Sequence, residues 1–238
     1  MAEIDASVVA SFPILAGSTP EQIDALTREA RPVRYPKGGN AVFRQGEAPH
    51  SFWLLLEGRL QVVKVTPSGQ QVVVRYVGPR EFFGIAVAMG LPAYPATALP
   101  VLDSVALVWP SSSWPRLIQR CPALAAATLH TIGSRLDEAH TRVVEMSTQP
   151  VERRIAAALL RLARQAGRTV ASGVEIGFPI SRQDVAEMTG TTLHTVSRTL
   201  SAWEAQGIVG GGRQRIEIRA PERLMALAKD VPPGTSSP

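Results

Sequence analysis

The periodicity of apolar residues in this sequence changes part-way along the chain. Between Val33 and Trp109 short β-rich runs alternate with glycine and proline, whereas from Ser111 onward apolar residues recur at helical spacing. The runs are AVF, FWLLL, LQVVKV, QVVVRYV and SVALVW. Because no helical pattern lies between them, they predict an antiparallel barrel or sandwich. Ser18–Thr19–Pro20–Glu21 is typical of a helix start and predicts a short lead-in helix within residues 1–30.

The helical part begins with a pattern typical of a coiled coil. Apolar residues recur with spacings of 3, 4, 3, 4 and 3, at Leu129, Ile132, Leu136, Ala139, Val143 and Met146. This seam predicts that the helix pairs with a second copy of the chain. The alternative is an ordinary amphipathic helix that packs on its own domain, since the heptads extend over only about two and a half repeats.

We expect a domain boundary near residue 148, because Pro150 interrupts the helical pattern there. Val151–Ala166 predicts a further helix, which Gly167 ends. Gly173–Pro179 then predicts a short strand.

The sequence that follows predicts a helix-turn-helix. Ser181 and Asp184 have the spacing of a capping box, so a helix begins there, and a glycine turn follows it. The next helix is capped at Thr191 or Thr192. Its buried stripe consists of Val196, Leu200 and Trp203. IVGGGRQRIEI predicts a wing-like hairpin with Gly210–Gly212 at its tip.

This pattern predicts DNA binding, because the second helix of such a pair fits the major groove, where each base pair shows distinct donors and acceptors. Arg198 has the fork that binds guanine bidentately, and Thr192 and Thr195 suit phosphates or base edges. The polar residues that flank this helix are expected to hold phosphates. The predicted contacts are Arg182, Gln183, Thr192, Leu193, His194, Thr195, Ser197, Arg198 and Arg213.

The net charge favours an anionic partner, and the composition argues against several other kinds of protein and of binding site. The net charge is +5, and residues 150–219 hold 10 basic against 6 acidic side chains. The single cysteine, Cys121, excludes an internal disulfide, a four-cysteine zinc site and an iron–sulfur cluster held by cysteine alone. No stretch predicts a membrane span or a signal peptide, so we expect a cytoplasmic protein. No nucleophile–base pair, metal-ligand cluster or phosphate loop indicates an enzyme.

Three segments carry a resemblance to a known family: YPKGGNAVFRQGEAPHSFWLLLEGRLQVV, FFG at Phe82–Gly84, and SRQDVAEMTGTTLHTVSRTLSAWEAQGIV. Over nearly its whole length the chain is similar to the cyclic-AMP receptor protein and fumarate–nitrate reductase regulator (CRP/FNR) family of bacterial transcription regulators. The resemblance implies an α+β protein with an N-terminal antiparallel β-roll (a double-stranded, cupin-like β-helix), a long dimerisation helix and a C-terminal winged helix-turn-helix. It also implies a homodimer that binds a palindromic operator in double-stranded DNA, with RNA polymerase as a further partner.

The expected domain organisation follows from this resemblance. We expect an effector-sensing, cyclic-nucleotide-binding-like β-roll at 1–120 and a dimerisation helix at 121–148. A winged helix-turn-helix should follow at 149–229, and a disordered tail at 230–238.

The effector site departs from the family members that bind cyclic AMP. Those proteins carry a glutamate after the Phe-Gly turn and an Arg-Ser pair further along, where this chain has Ile85 and Tyr94–Thr97. From Phe82 to Leu102 only Tyr94 is ionisable, so no cation of this segment neutralises a cyclic phosphate. The sequence therefore predicts an effector other than a cyclic nucleotide, or constitutive activity. The expected pocket residues are Phe83, Gly84, Ile85, Tyr94, Thr97 and His140.

Three alternatives stay open at this point. Backbone amides can cradle a cyclic phosphate without a cationic side chain. A haem that senses NO or CO needs an axial ligand, for which His50, His130 and His140 are the candidates. A ligand-binding scaffold that does not bind DNA is the rival class.

The second helix of the predicted helix-turn-helix also differs from that of most relatives. His194 stands where they carry glutamate, and Leu193 stands where they often carry arginine. Histidine donates to guanine and leucine contacts a thymine methyl group, so we expect a half-site that differs from the family consensus. Ser197–Arg198 retains the family's Ser-Arg pair, which predicts at least one guanine in each half-site.

Overall fold

The computed structural model describes residues 9–229, which divide into two compact units. The first contains the residues up to Gln70 and Val74–Glu138, and the second contains Gln71–Val73 and the residues from Ala139 onward. The predicted tail at 230–238 lies outside the described residues.

The N-terminal half is built from short antiparallel strands. They are β1 (Arg31–Tyr35), β2 (Ser51–Glu57), β3 (Leu60–Val65), β4 (Gln71–Val77), β5 (Phe82–Phe83), β6 (Thr97–Pro100) and β7 (Ser104–Pro110). One sheet has the order β1-β7-β2-β5 and the other the order β4-β3-β6. The pairs of β1 with β7, of β2 with β5 and β7, and of β3 with β6 are antiparallel. The predicted α+β class with a β-rich N-terminal half is therefore confirmed.

The helices follow the predicted order. They are α1 (Pro20–Arg28), α2 (Trp114–Arg120), α3 (Pro122–Thr148), α4 (Val151–Ala166), α5 (Arg182–Thr189), α6 (Leu193–Ala205) and α7 (Pro221–Lys229). A capping box of Thr19 and Gln22 begins α1, which confirms the lead-in helix. Cys121 is fully buried and directly precedes α3, the 27-residue helix that carries the predicted seam. Within residues 9–229 no helix combines the length and apolarity needed to cross a membrane.

Strand β2 shows why its sequence, FWLLL, is apolar without alternation. Successive side chains of a strand point to opposite faces. Phe52 and Leu54 belong to one apolar core, which also contains Trp109 from β7. Trp53 and Leu55 belong to a second core on the other face. Because both faces are covered, every position of this strand favours an apolar residue.

Gly84 fixes the turn that follows β5. Its φ is +64°, and a Cβ added there would lie 2.5 Å from the Trp53 ring. Only glycine fits such a close approach in a left-handed conformation. The turn leads into a short 3-10 helix at Ile85–Met89.

The second unit adds a four-stranded antiparallel sheet to the helices. Its strands are β8 (Gly167–Val170), β9 (Gly173–Ile176), β10 (Val209–Gly212) and β11 (Arg215–Ile218), in the order β10-β11-β9-β8. Helix α4 packs on α5 and α7 through a buried face that includes Ile155, Leu159 and Leu162.

Three details of the sequence prediction are wrong. Ala41–Phe43 is not a strand, because Phe43 makes only an isolated bridge to Ala98. Strand β8 begins directly at Gly167, where the sequence predicted only a helix end. Gly210–Gly212 lie within β10, because Gly212 still pairs with Arg215 across the hairpin. The turn of the wing is therefore Arg213–Gln214, and Gln214 adopts a positive φ of 57° there.

Candidate DNA-binding surface and effector cavity

Each helix of the helix-turn-helix begins at a local cap. The Ser181 hydroxyl accepts from the Asp184 amide at 3.0 Å, and the Asp184 carboxylate accepts from the Ser181 amide at 2.7 Å. The Thr192 hydroxyl accepts from the Thr195 amide at 3.2 Å and caps α6. Between the helices, Gly190 has a φ of +61°. The capping box and the glycine turn are as predicted.

Helix α6 has one buried and one exposed face. Val196, Leu200 and Trp203 are buried, as the sequence predicted. The opposite face presents short polar side chains and one long cation at the N-terminal half of the helix. Thr192, Leu193, His194 and Arg198 are exposed there, and Thr195 and Ser197 are half-buried. The structure thus brings these six predicted residues together on one surface.

Arg182 is held by its neighbours in α6. Its guanidinium donates to the Glu204 carboxylate at 2.9 and 3.1 Å and to the Ser201 hydroxyl at 3.3 Å. These contacts join the start of α5 to α6, so Arg182 also fixes how the two helices meet. Gln183 is exposed, and its side-chain amide donates to Glu187 at 2.9 Å.

The wing presents an arginine at its tip. Arg213 is exposed in the two-residue turn between β10 and β11. Arg215 contacts Glu175 instead, and hydrogen bonds from Arg168 and Arg215 lower the pKa of that carboxyl. An open groove of about 740 Å³ lies between α5, α6 and the wing, and both Leu193 and Arg213 line it.

The predicted seam lies on the surface of α3. Leu129 is 71% exposed, Leu136 56% and Val143 62%, although each is large and apolar. Ala139 and Met146 are also exposed, whereas Ile132 packs against the core of the first unit. The described residues therefore do not support the alternative, in which the whole stripe packs within its own domain.

The β-rich half contains a small apolar cavity. Its volume is about 190 Å³, and its lining includes Phe43, Val62 and Ala96. The rings of Phe43 and Tyr94 are stacked with 4.2 Å between centroids. The Tyr94 hydroxyl donates to the Ser51 carbonyl at 2.6 Å and accepts from the Ser51 amide at 3.1 Å. Burial raises the pKa of Tyr94, so this hydroxyl stays protonated at neutral pH.

Four of the six predicted pocket residues line this cavity: Phe83, Gly84, Ile85 and Tyr94. The other two are placed differently. The Thr97 hydroxyl accepts from the Gln45 amide at 2.9 Å, and His140 is exposed on α3.

Two arginines outside the predicted pocket residues also line the cavity. Arg75 comes from β4 and Arg135 from α3. A signal for Arg75 exists in the strand pattern, because it has the same parity as Val73 and Val77, which are both buried. Arg135 lies one helical turn after Ile132, the seam residue that packs inward. The absence of cations between Phe82 and Leu102 therefore does not leave the cavity without positive charge.

Two family profiles together match most of the chain. One, described as a cyclic nucleotide-binding domain, matches residues 32–121, and the other, described as a Crp-like helix-turn-helix domain, matches residues 153–227. The chain is 29% identical over 216 residues to the cyclic AMP receptor protein of Thermus thermophilus, covering 91% of this chain and 96% of that protein. It is 26% identical to the nitrogen fixation regulation protein FixK of Bradyrhizobium diazoefficiens, covering 80% and 79%.

A solved structure agrees with these matches. FixK2 from Bradyrhizobium japonicum superposes with a TM-score of 0.69 at 25% identity, covering 83% of this chain and 96% of that one. The helix-turn-helix profile covers α5, α6 and the wing described above. The chain therefore belongs to the CRP/FNR family of DNA-binding transcription regulators.

Proposed function

We propose that this regulator acts as a homodimer that binds a palindromic operator through α6 of each subunit. Its β-rich half responds to an effector other than a cyclic nucleotide, or the protein is constitutively active. The observation that carries the proposal is the exposed polar face at the start of α6, whose Leu193 lines the same groove as the exposed wing-tip Arg213. In transcription the partner of such a regulator would be RNA polymerase.

The exposed seam supports the homodimer. Apolar side chains that recur every 3 or 4 residues along one helix face are stabilised when a second helix covers them. Burial of apolar surface contributes about 25 cal/mol per Å², so leaving Leu129, Leu136 and Val143 in water is unfavourable. A second copy of α3 offers the same stripe and would place two copies of α6 on one duplex.

The residues on α6 suggest how bases are read. The guanidinium of Arg198 is exposed and can bind guanine O6 and N7 as a fork. His194 and Leu193 are exposed one turn earlier, and Leu193 is 47% exposed despite its apolar side chain. Contact with a thymine methyl group would cover this leucine.

The chemistry of the cavity argues against a cyclic nucleotide. Ribose hydroxyls and the purine edge need hydrogen-bond partners, and a buried polar group without one costs about 1–3 kcal/mol. The Tyr94 hydroxyl is already bonded in both directions to Ser51. Ile85 stands where the family's cyclic-AMP binders carry glutamate. The name of the Thermus relative therefore does not transfer its effector to this chain.

No described histidine is placed to hold a haem in this cavity. His50, His130 and His140 are all exposed, and none of the described residues that line the cavity is a histidine. An absorption spectrum of the purified protein tests for haem, since a Soret band would show that the protein binds one.

The cavity lies where an effector would reach the helix that carries the seam. Arg135 of α3 lines it, and Leu136 is the next residue of the same helix. A ligand that binds one position of α3 better than another shifts the population of dimer geometries, and with it the spacing of the two reading helices.

Selection from a library of random duplexes tests the proposed function. We expect enrichment of an inverted repeat with a guanine in each half, and an affinity that falls steeply with salt. If no sequence is enriched, or the protein does not bind duplex DNA in dilute buffer, the proposed function is wrong and the rival hypothesis, a ligand-binding scaffold, is favoured.

A further inference from the structure

The two arginines of the cavity lack part of the hydrogen bonding that a buried guanidinium needs. Arg135 Nη2 donates to the Phe82 carbonyl at 2.6 Å, but Arg135 Nε is buried and has no hydrogen-bond partner among the described residues. Arg75 Nη2 lies 3.0 Å from a Glu81 oxygen, an ion-pair distance, yet it too is buried without hydrogen-bond geometry to any described group. Buried donors left in this state are unfavourable.

Two carboxylates lie near these arginines. Glu81 pairs with Arg75, and Glu81 and Glu138 both act on Arg135. The other oxygen of Glu81 accepts from the Gly78 amide at 3.0 Å. Neither carboxylate accepts a hydrogen bond from the buried donors Arg75 Nη2 and Arg135 Nε. Burial, together with the charge of Arg75, lowers the pKa of Arg135 to about 9, while Glu81 and Glu138 oppose this change.

From this arrangement we propose that the cavity binds a small aromatic carboxylic acid, whose carboxylate is held by Arg75 and Arg135. The ring would occupy the apolar space beside Phe43 and Ile85, and the acid group would supply the missing hydrogen-bond acceptors. This inference rests on the proposed role of the cavity as the effector site.

Size and polarity narrow the ligand class. A volume of about 190 Å³ is below the roughly 300–1,000 Å³ of pockets for drug-sized molecules, so a single ring fits better than a nucleotide. The proposed acid has one charged group and no other polar group to satisfy. The Tyr94 hydroxyl, already paired with Ser51, is not needed for recognition.

Thermal denaturation and titration calorimetry of the full chain test the proposal. Benzoate and phenylacetate at about 10 mM should raise the melting temperature, whereas benzamide, which keeps the ring without the charge, and acetate, which keeps the charge without the ring, should not. Arg135→Met and Arg75→Met should each weaken benzoate binding at least about tenfold. Arg120→Met, an exposed arginine of α2, is the matched control and should bind as the native protein does.

Each other outcome overturns the proposal. Equal stabilisation by benzamide would make the site a neutral apolar one, and tighter binding of cyclic AMP would make it a nucleotide site. No response to any of these acids would remove the acid class altogether. The melting curve of each ligand-free variant shows whether it folds. If Arg135→Met does not fold, Arg75→Met provides the second test. Binding of the same samples to the selected operator is measured separately, so loss of acid binding and loss of DNA binding are distinguishable.

Discussion

Arg198 is the residue on which base recognition depends most directly. It is exposed on α6 in the second turn after the cap Thr192, whereas Arg182 is held by Glu204. We predict that Arg198→Ala weakens binding to the selected operator by about 1–3 kcal/mol and relaxes specificity at one base pair of each half-site. Fluorescence anisotropy with operator and random duplexes measures both effects.

Arg182→Ala is the comparison for that experiment. It should weaken binding to all sequences by a similar factor, because Arg182 lies at the start of α5 and holds α6 through Glu204. Equal losses on operator and random DNA for Arg198→Ala would contradict the assignment of base reading to that residue.

Gly84 and Gly90 form a matched pair at the two ends of the 3-10 helix that borders the cavity. Both have a φ of +64°, but an added Cβ meets the Trp53 ring only at Gly84, and nothing lies within 4 Å at Gly90. Gly90→Ala should lower the free energy of unfolding by about 1 kcal/mol through backbone strain alone. Gly84→Ala should lower it by about 1–3 kcal/mol more than Gly90→Ala does, because Trp53 must move. Similar unfolding free energies in urea for the two variants would mean that the ring contact is unimportant.

Single residues were predictable where a local rule fixes them. The cap at Ser181 depends on its own hydroxyl and on the Asp184 side chain three residues later, and the cap at Thr192 depends on the Thr192 hydroxyl alone, so the sequence shows both. Arg75 and Arg135 were missed because they reach the cavity from a strand and a helix far away in the sequence. No rule restricted to the segment from Phe82 to Leu102 includes them.

At the scale of elements, α3 links the cavity to the proposed dimer. We predict that Leu136→Glu converts the dimer to a monomer, since it places a charge in the seam. The variant should still fold, because Leu136 is 56% exposed within one chain. Operator binding should fall at least about tenfold, since two half-sites are no longer held together.

Thr141→Glu is the control for that substitution. Thr141 is exposed on the same helix but outside the heptad positions, so the added charge should leave the dimer intact. Sedimentation velocity separates the two states. A dimeric Leu136→Glu protein would show that the contact between subunits lies elsewhere.

Elements were predictable where periodicity is strong and uncertain where strands are short. Val151–Ala166 has the predicted bounds, because its apolar face repeats over more than four turns. Strand β8 was missed because four residues with an exposed or half-buried pattern carry no periodic signal. The wing tip was placed at the glycines, although pairing of Gly212 with Arg215 moves the turn to Arg213–Gln214.

At the scale of the whole molecule, the order of the parts follows from the sequence. The β-rich part, the long helix and the helix-turn-helix occur in the structure in the predicted order, and both family profiles match in that order. The residues that line the cavity could not be predicted in this way, because the two sheets and α3 bring together side chains that are distant in the sequence. The sequence predicted an uncharged pocket, and the structure adds two arginines to it.

The proposed function requires that two chains place two copies of α6 on one operator. Sedimentation equilibrium of the protein with its selected duplex measures the number of chains, and hydroxyl-radical footprinting measures the protected sites. We predict two chains per duplex and two protected half-sites centred about 10 base pairs, or one helical turn, apart. One chain per duplex, or a single protected block without symmetry, would contradict it.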